Sequence, residues 1–143
     1  KSWTPEDDAA IQTRRTGDKP RVLNLLVAED ETVNQALIGN VLSQEGWNFE
    51  MASNGAEALE LFEKKKYDAV LMDIKMPVMS GFEAMEKIRE FEAGKKVPII
   101  AITACAMNED IKQCFMHGAN EYISKPYKAE ELIQKIRELT AGL

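Results

Sequence analysis

The chain has 143 residues, enough for one domain, and 45% of them are hydrophobic while 29% are charged. This balance is typical of a globular protein and excludes disorder over most of the chain. Acidic residues outnumber basic ones by 24 to 18, so neither nucleic acid nor a membrane surface is an expected partner. The longest apolar runs, 22–28 and 97–106, are shorter than the roughly 20 residues that span a bilayer. Two cysteines and a start unlike a signal peptide favour a reducing compartment, so the predicted location is cytoplasmic.

The first twenty residues are polar and contain Pro5, Gly17 and Pro20, whereas strong apolar patterning begins only at Val22. We therefore predict a linker or appendage over 1–20 and one domain over 21–143. Thr4 and Pro5 are good residues for a helix start, so a short helix from about 5 to 15 is one interpretation. A flexible tether is the alternative.

From Val22 onward, short apolar runs alternate five times with amphipathic stretches, which indicates strand-helix units and a parallel α/β sheet. The first, third and fourth apolar runs are nearly continuous, so we expect those strands at the centre of the sheet. Gly118, just past the fourth helical pattern, is expected at a left-handed helix end. The predicted strands are 22–28, 48–51, 69–72, 98–102 and 121–123. The apolar faces of the helices are predicted from Val33, Leu37, Ile38, Val41, Leu42; Leu59, Phe62; Phe82, Met85, Ile88; Ile111, Phe115; and Leu132, Ile133, Ile136, Leu139.

Polar side chains follow four of these strands, and the carboxyl ends of parallel strands meet at one edge of a sheet. Glu29 and Asp30 follow the first strand, Asp73 the third, Thr103 the fourth and Lys125 the fifth. Three neighbouring carboxylates repel one another unless a cation neutralises them. An all-oxygen ligand set favours Mg²⁺, with Mn²⁺ as a substitute. An aspartate beside Mg²⁺, a lysine and a threonine is suited to forming an aspartyl phosphate.

These residues stand in four of five short motifs whose joint order is specific. Over 22–139 the chain resembles a receiver domain of two-component signalling, a resemblance carried by Val27-Ala28-Glu29-Asp30, Leu71-Met72-Asp73-Ile74-Lys75-Met76-Pro77, Ser80-Gly81, Ile102-Thr103-Ala104 and Lys125-Pro126. The resemblance implies a flavodoxin-like, doubly wound, five-stranded parallel sheet of order 2-1-3-4-5 with five helices. Glu29 stands where an aspartate is commonest in the family.

The resemblance further implies that Asp73 accepts a phosphoryl group from a phosphohistidine. It assigns Mg²⁺ to Asp30, Asp73, the backbone carbonyl of Lys75 and, through water, Glu29. Such a domain assists its own phosphorylation and dephosphorylation.

Thr103 and Lys125 are implied to contact the phosphoryl group. Tyr122 is implied to follow Thr103 as an aromatic switch, with a half-buried strand tyrosine as the alternative. The Lys125-Pro126 peptide bond is expected to be cis, a form that only X-Pro bonds adopt cheaply.

The polar leader and the run from Asp30 to Gln35 resemble receivers at the C-terminal end of hybrid sensor histidine kinases. The implied partners are a histidine kinase domain, a histidine-phosphotransfer protein, or both, and the expected state is a monomer or weak dimer. In this context the chain could be the cytosolic part of a membrane-bound kinase. A partner helix is expected to dock near Leu37 and Ile38 of the first helix.

Two other functions compete with this one. A metal-dependent phosphatase with an aspartyl nucleophile would resemble Asp-x-Asp, whereas Asp73 is followed by Ile74 and Lys75. A non-phosphorylated interaction domain of the same fold is the second alternative, and the intact set of Asp30, Asp73, Thr103 and Lys125 argues against it.

Overall fold

Five parallel strands form one sheet in the computed structural model, which describes residues 22–104 and 107–141. The sheet order is β2-β1-β3-β4-β5, and each neighbouring pair is parallel. This confirms the expected topology, with β1, β3 and β4 in the interior. The strands are β1 (Asn24–Ala28), β2 (Asn48–Ala52), β3 (Ala69–Asp73), β4 (Ile99–Thr103) and β5 (Glu121–Ser124). The expected leader, residues 1–20, lies outside the described residues.

Five helices follow the strands and cover both faces of the sheet. Because side chains alternate between the two faces of a strand, β1, β3 and β4 supply one apolar set to each face. One set packs against α2, α3 and α4, and the other against α1 and α5. No helix in the described part is both long and apolar enough to cross a membrane. The helices are α1 (Thr32–Gln44), α2 (Gly55–Lys64), α3 (Gly81–Glu90), α4 (Asn108–Met116) and α5 (Ala129–Thr140).

Local capping fixes the ends of several helices. The Asn54 side chain accepts a hydrogen bond from the Glu57 amide at 2.8 Å, and Ser80 does the same for the Glu83 amide at 3.3 Å. Both bonds satisfy amides that lack a partner within the helix. Gly118 follows α4 with φ 120°, so the predicted left-handed helix end is confirmed.

The predicted core faces of α1 and α4 are partly wrong. Val33 and Leu37 are 68% and 58% exposed, and Phe115 of α4 is 43% exposed. Ile38 and Leu42 of the predicted α1 face are buried as expected, whereas the buried residue of α4 is Cys114, which the pattern did not include. The sheet covers only the narrow stripe of each helix that faces it, whereas the sequence pattern assigns every apolar position to the core.

Candidate functional site

Three carboxylates gather where β1 and β3 end. Ala28 of β1 is in register with Met72 of β3, so the residues that follow them, Glu29 and Asp73, lie next to each other. Each of Glu29, Asp30 and Asp73 offers a carboxylate oxygen within 4.8 Å of the others. Glu29 is fully buried, Asp73 is 4% exposed and Asp30 is half-buried. The structure therefore brings the three predicted acidic residues into one cluster.

Lys125 neutralises the two buried members of this cluster. Its ammonium Nζ lies 3.0 Å from Asp73 Oδ2 and 3.2 Å from Glu29 Oε1. Burial alone would lower the pKa of Lys125, but the hydrogen bonds and negative charges of Asp73 and Glu29 outweigh it and raise that pKa. The Lys125 backbone amide donates to Thr103 O at 2.8 Å, which ties the end of β5 to the end of β4. The Lys125-Pro126 bond is cis, as expected.

Backbone amides orient the carboxylates from the other side. The Glu31 amide donates to Glu29 Oε2 at 3.1 Å, and the Lys75 amide donates to Asp73 Oδ1 at 3.2 Å. Each buried carboxylate is thus held between an amide and the Lys125 ammonium. Lys75 lies in the loop after β3, next to the site, and the role of its carbonyl stays a prediction.

Gln35 supports the cluster through hydrogen bonds that the amino-acid sequence did not predict. From the first turns of α1, its side-chain amide donates to the Glu29 carbonyl oxygen at 2.6 Å and to Ser53 Oγ at 3.2 Å. These bonds connect the ends of β1 and β2. A polar residue near the start of the first helix was the available signal, since helix starts also lie at this edge of the sheet.

Thr103 and Tyr122 occupy neighbouring strands. Thr103 ends β4 one residue after Ile102, the register partner of Asp73, is 6% exposed, and is in register with Ser124 of β5. Tyr122 is half-buried, and its ring meets the edge of Phe115 with centroids 6.2 Å apart. The Lys135 ammonium lies 5.9 Å from the Tyr122 ring centroid. Coupling between Thr103 and Tyr122 stays a prediction.

The loop from β3 to α3 approaches Asp73 closely because of Gly81. A Cβ at Gly81 would lie 2.2 Å from the Asp73 carbonyl oxygen, and the Gly81 amide donates to Ile74 O at 2.9 Å. Only glycine allows this approach. Val78, in the same loop, has φ 69° and is 83% exposed. A β-branched residue in this conformation carries backbone strain.

An apolar groove of about 480 Å³ opens beside Lys125. Burial and the negative charge of Glu29 raise the pKa of Tyr127, on one wall, to about 12. The expected docking face requires a correction, because Ile38 is 1% exposed and packs in the core, whereas Leu37 is exposed beside the groove. The groove is lined by Asn34, Leu37, Asn40, Val41, Lys125, Pro126, Tyr127 and Ala129.

Comparison with known proteins places this chain in a family. The model of the response regulator receiver domain matches residues 25–137. The hybrid signal transduction histidine kinases K and I of Dictyostelium discoideum are 39% and 42% identical over 137 and 119 residues. Those alignments cover 87% and 78% of this chain but only 11% and 7% of the two kinases. The chain therefore belongs to the response regulator receiver domain family of two-component signalling.

Solved structures agree with this assignment. The receiver domain of sensor histidine kinase PA1611 from Pseudomonas aeruginosa, described with magnesium in its active-site cleft, aligns with TM-score 0.80 and 36% identity over 85% of this chain and 99% of that one. A chain in the co-crystal structure of the Saccharomyces cerevisiae phosphotransfer protein Ypd1 with the receiver domain of Ssk1 aligns with TM-score 0.78 and 33% identity. This alignment covers 83% of this chain and 89% of that one.

Proposed function

We propose that Asp73 accepts a phosphoryl group from a phosphohistidine and that the domain passes on the resulting change as a signal. The observation that best supports this proposal is the environment of the Asp73 carboxylate. Asp73 is 4% exposed, accepts a hydrogen bond from Lys125 and lies in the cluster with Glu29 and Asp30. In the transfer, an Asp73 oxygen forms a bond to phosphorus while the phosphorus–nitrogen bond of the donor breaks. The imidazole leaves with the bonding electron pair and takes up a proton.

The residues at the site fit a divalent cation. Carboxylate oxygens are the donors that Mg²⁺ prefers, and three carboxylates this close need positive charge. We assign Mg²⁺, or Mn²⁺ as a substitute, to Asp30, Asp73, the Lys75 carbonyl and, through water, Glu29. Once bound, the ion would neutralise charge on the phosphoryl oxygens. Magnesium in the cleft of the PA1611 receiver supports this assignment.

Lys125 and Thr103 would contact the phosphoryl group directly. The Lys125 ammonium already contacts Asp73 and would balance the negative charge that arrives with the phosphoryl group. The Thr103 hydroxyl would donate to a phosphoryl oxygen and move toward it. Tyr122 would then change its rotamer, and the surface of α4, β5 and α5 would change its partner preference.

The groove beside Lys125 suits a partner helix that carries the donor histidine. Its wall is apolar at Leu37 and Val41, and Leu37 is 58% exposed. An amphipathic helix would bury this surface and bring a histidine to the site. The Ypd1–Ssk1 complex and the hybrid kinase relatives support a phosphotransfer protein or a kinase domain as the partner. We further propose a hybrid-kinase context, a cytoplasmic location and a monomer or weak dimer.

A phosphodonor assay tests the chemistry. With Mg²⁺ and acetyl phosphate, intact mass should show one added phosphoryl group on the wild type, and EDTA should prevent it. Asp73→Asn should abolish the label, whereas Asp110→Asn, the same change in α4, should retain it. Label that survives Asp73→Asn would refute the assignment. Multiple turnover of a generic phosphate ester would favour the metal-dependent phosphatase instead.

A second assay tests the docking face. Leu37→Ala should slow transfer from a phosphorylated histidine-phosphotransfer protein about tenfold and leave labelling by acetyl phosphate unchanged, since the small donor needs no groove. The control substitution is Met116→Ala, at an exposed apolar residue on α4, which should leave transfer from both donors unchanged. Equal losses with both donors would show that Leu37 acts on the site and not on docking.

A further inference from the structure

Arg89 makes the densest set of side-chain hydrogen bonds among the described residues, at the end of the sheet opposite the acidic cluster. Its Nε and Nη2 donate to Gly118 O at 3.0 and 2.6 Å, and Nη1 donates to Gly94 O at 2.9 Å and to Val97 O at 2.6 Å. Nη2 also donates to Asn120 Oδ1 at 2.7 Å. We call Arg89 with these four acceptors the Arg89 clamp. It joins α3 to the connections α3–β4 and α4–β5.

The clamp holds the C-terminal end of α4. The Ala119 amide donates to Cys114 O at 3.0 Å and the Gly118 amide to Phe115 O at 3.2 Å, which closes the last turn of the helix. Arg89 Cγ lies 3.1 Å from the place where a Cβ of Gly118 would be, so the contact is tight. This end of α4 is fixed to α3.

A second contact of the same helix end with α3 comes from His117, the residue that caps α4. Its ring stacks on Phe82 with centroids 4.5 Å apart, and its Nδ1 lies 3.1 Å from Glu86 Oε2. Cys114, one turn earlier, is the only buried residue of α4. The packing of α4 is therefore concentrated in its last turn and in the residues that follow it.

The N-terminal end of α4 is held much less. Its N-cap, Met107, makes no side-chain capping hydrogen bond and is 70% exposed, and the next two residues, Asn108 and Glu109, are exposed as well. This end follows Thr103 after the short connection 104–107. A displacement at the end of β4 therefore reaches the weakly held end of α4 first.

The clamp also ties the amino ends of β4 and β5. Asn120 Oδ1 accepts from the Ile99 amide at 2.8 Å as well as from Arg89, and the Asn120 amide donates to Ile99 O at 2.8 Å. These bonds fix the register of the two strands whose other ends carry Thr103 and Lys125. The strands are thus anchored at the end away from the site.

We infer that the Arg89 clamp is the fixed point of the conformational switch, so that phosphorylation of Asp73 tilts α4 about its C-terminal end while the β4–β5 register stays in place. The inference rests on the proposed function, because it takes phosphorylation as the trigger. Nine residues of helix span about 13 Å. The displacement is largest near Met107 and smallest near Cys114, and the surface that changes is the N-terminal half of α4, which carries Glu109 and Asp110.

Hydrogen exchange read by mass spectrometry tests the clamp in the resting protein. Arg89→Lys keeps the positive charge, but a single ammonium cannot bridge four acceptors. Exchange of amides 114–120 should rise at least about tenfold in this variant, because several charge-assisted hydrogen bonds are lost. Arg137→Lys, the same change on the exposed face of α5, should leave exchange at 114–120 unchanged. Unchanged exchange in Arg89→Lys would overturn the inference.

Phosphorylation by acetyl phosphate and Mg²⁺ tests the tilt. In the wild type, exchange should change at amides 111–113, the first ones with acceptors inside the helix, and stay constant at 114–120. In Arg89→Lys the change should spread along the whole helix. Equal changes at both ends of wild-type α4 would overturn the inference. If intact mass shows no phosphoryl group, the proposed function itself fails, and the inference falls with it for that distinct reason.

A gentler variant covers the case in which Arg89→Lys does not fold. Asn120→Ser removes one acceptor of the clamp and the side-chain bond to the Ile99 amide. It should raise exchange at 114–120 by a smaller factor, with urea unfolding measured in parallel to separate local from global opening. An increase that is uniform across all helices would assign Asn120 a general stabilising role and contradict the clamp.

Discussion

Replacing Lys125 by methionine tests whether its ammonium holds the acidic cluster together. Methionine keeps a long, unbranched side chain but removes the charge between Glu29 and Asp73. Glu29 is fully buried and Asp73 nearly so, and neither carboxylate can turn to bulk water. The substitution leaves two buried carboxylates close together, each still accepting a hydrogen bond from a backbone amide, that of Glu31 or Lys75.

The magnitude follows from the geometry. At 3.0 and 3.2 Å each charge pair is worth about 5 kcal/mol with an effective dielectric constant near 20, before the cost of desolvation. Breaking a buried pair by removing one partner costs about 3–5 kcal/mol. The Lys125 side chain is 23% exposed and partly solvated, so we expect a somewhat smaller loss of unfolding free energy, about 2–4 kcal/mol.

Urea unfolding at neutral pH without divalent cations, followed by circular dichroism, measures this loss. Lys65→Met is the matched control, since Lys65 pairs with Glu50 at 2.9 Å but is 62% exposed, and it should cost less than about 1 kcal/mol. Asp73→Asn should recover at least about 1 kcal/mol in the Lys125→Met background by removing one of the repelling charges. Mg²⁺ at ten times its dissociation constant should recover about 1.4 kcal/mol.

Two results would refute this reasoning. A loss in Lys125→Met no larger than that in Lys65→Met would mean that the ion pairs contribute nothing beyond an exposed pair. A failure of Asp73→Asn to stabilise the Lys125→Met protein would mean that repulsion between the carboxylates is not the cause of the loss.

Three further outcomes are expected. Gly81→Ala places a Cβ 2.2 Å from the Asp73 carbonyl oxygen and should destabilise the protein by about 1–3 kcal/mol in urea unfolding; a neutral result would contradict the close approach. Val78→Gly relieves a φ of 69° and should stabilise the protein by up to about 1 kcal/mol, whereas Val78→Ala removes the β-branch but keeps a Cβ in this conformation and should stabilise it less. Burial and the charge of Glu29 raise the pKa of Tyr127 to about 12, above the value near 10 of an unfolded tyrosine. The contribution of the neutral Tyr127 side chain to the stability of the fold is therefore complete below pH 10 and is lost as the pH rises through 12. Tyr127→Phe should flatten this alkaline loss of stability, and an unchanged pH profile would show that the hydroxyl is not responsible.

The positions of the strands were predictable because burial on both faces produces a continuous run of apolar residues in the sequence. A strand covered by helices on each side needs apolar residues at every position, and β3 and β4 are buried throughout. Asp73, Thr103 and Lys125 were predictable for a related reason. The ends of parallel strands share one edge, so the residues after each apolar run are expected at that edge without knowledge of any distance.

The helix faces were harder to predict, because periodicity does not say how much of an apolar stripe the sheet covers. Val33 and Leu37 continue the apolar pattern of Ile38 and Leu42 but remain exposed, and Leu37 lines the groove. In the fourth helix the pattern points to Phe115, whereas the buried residue is Cys114. Which side of each stripe is covered depends on the position of the helix over the sheet.

The class of fold, the edge of the sheet at which the acidic cluster lies and the residues that end each strand there follow from the amino-acid sequence alone. The contacts of Lys125 with particular carboxylates follow only from the folded chain, since Glu29 lies 96 positions away in the sequence. The same holds for Arg89, an ordinary basic residue near the end of an amphipathic helix, which joins three segments through backbone carbonyls. Backbone carbonyls are identical at every position of a sequence, so a side chain that binds them leaves no local signal, and the contact exists only once the chain has folded.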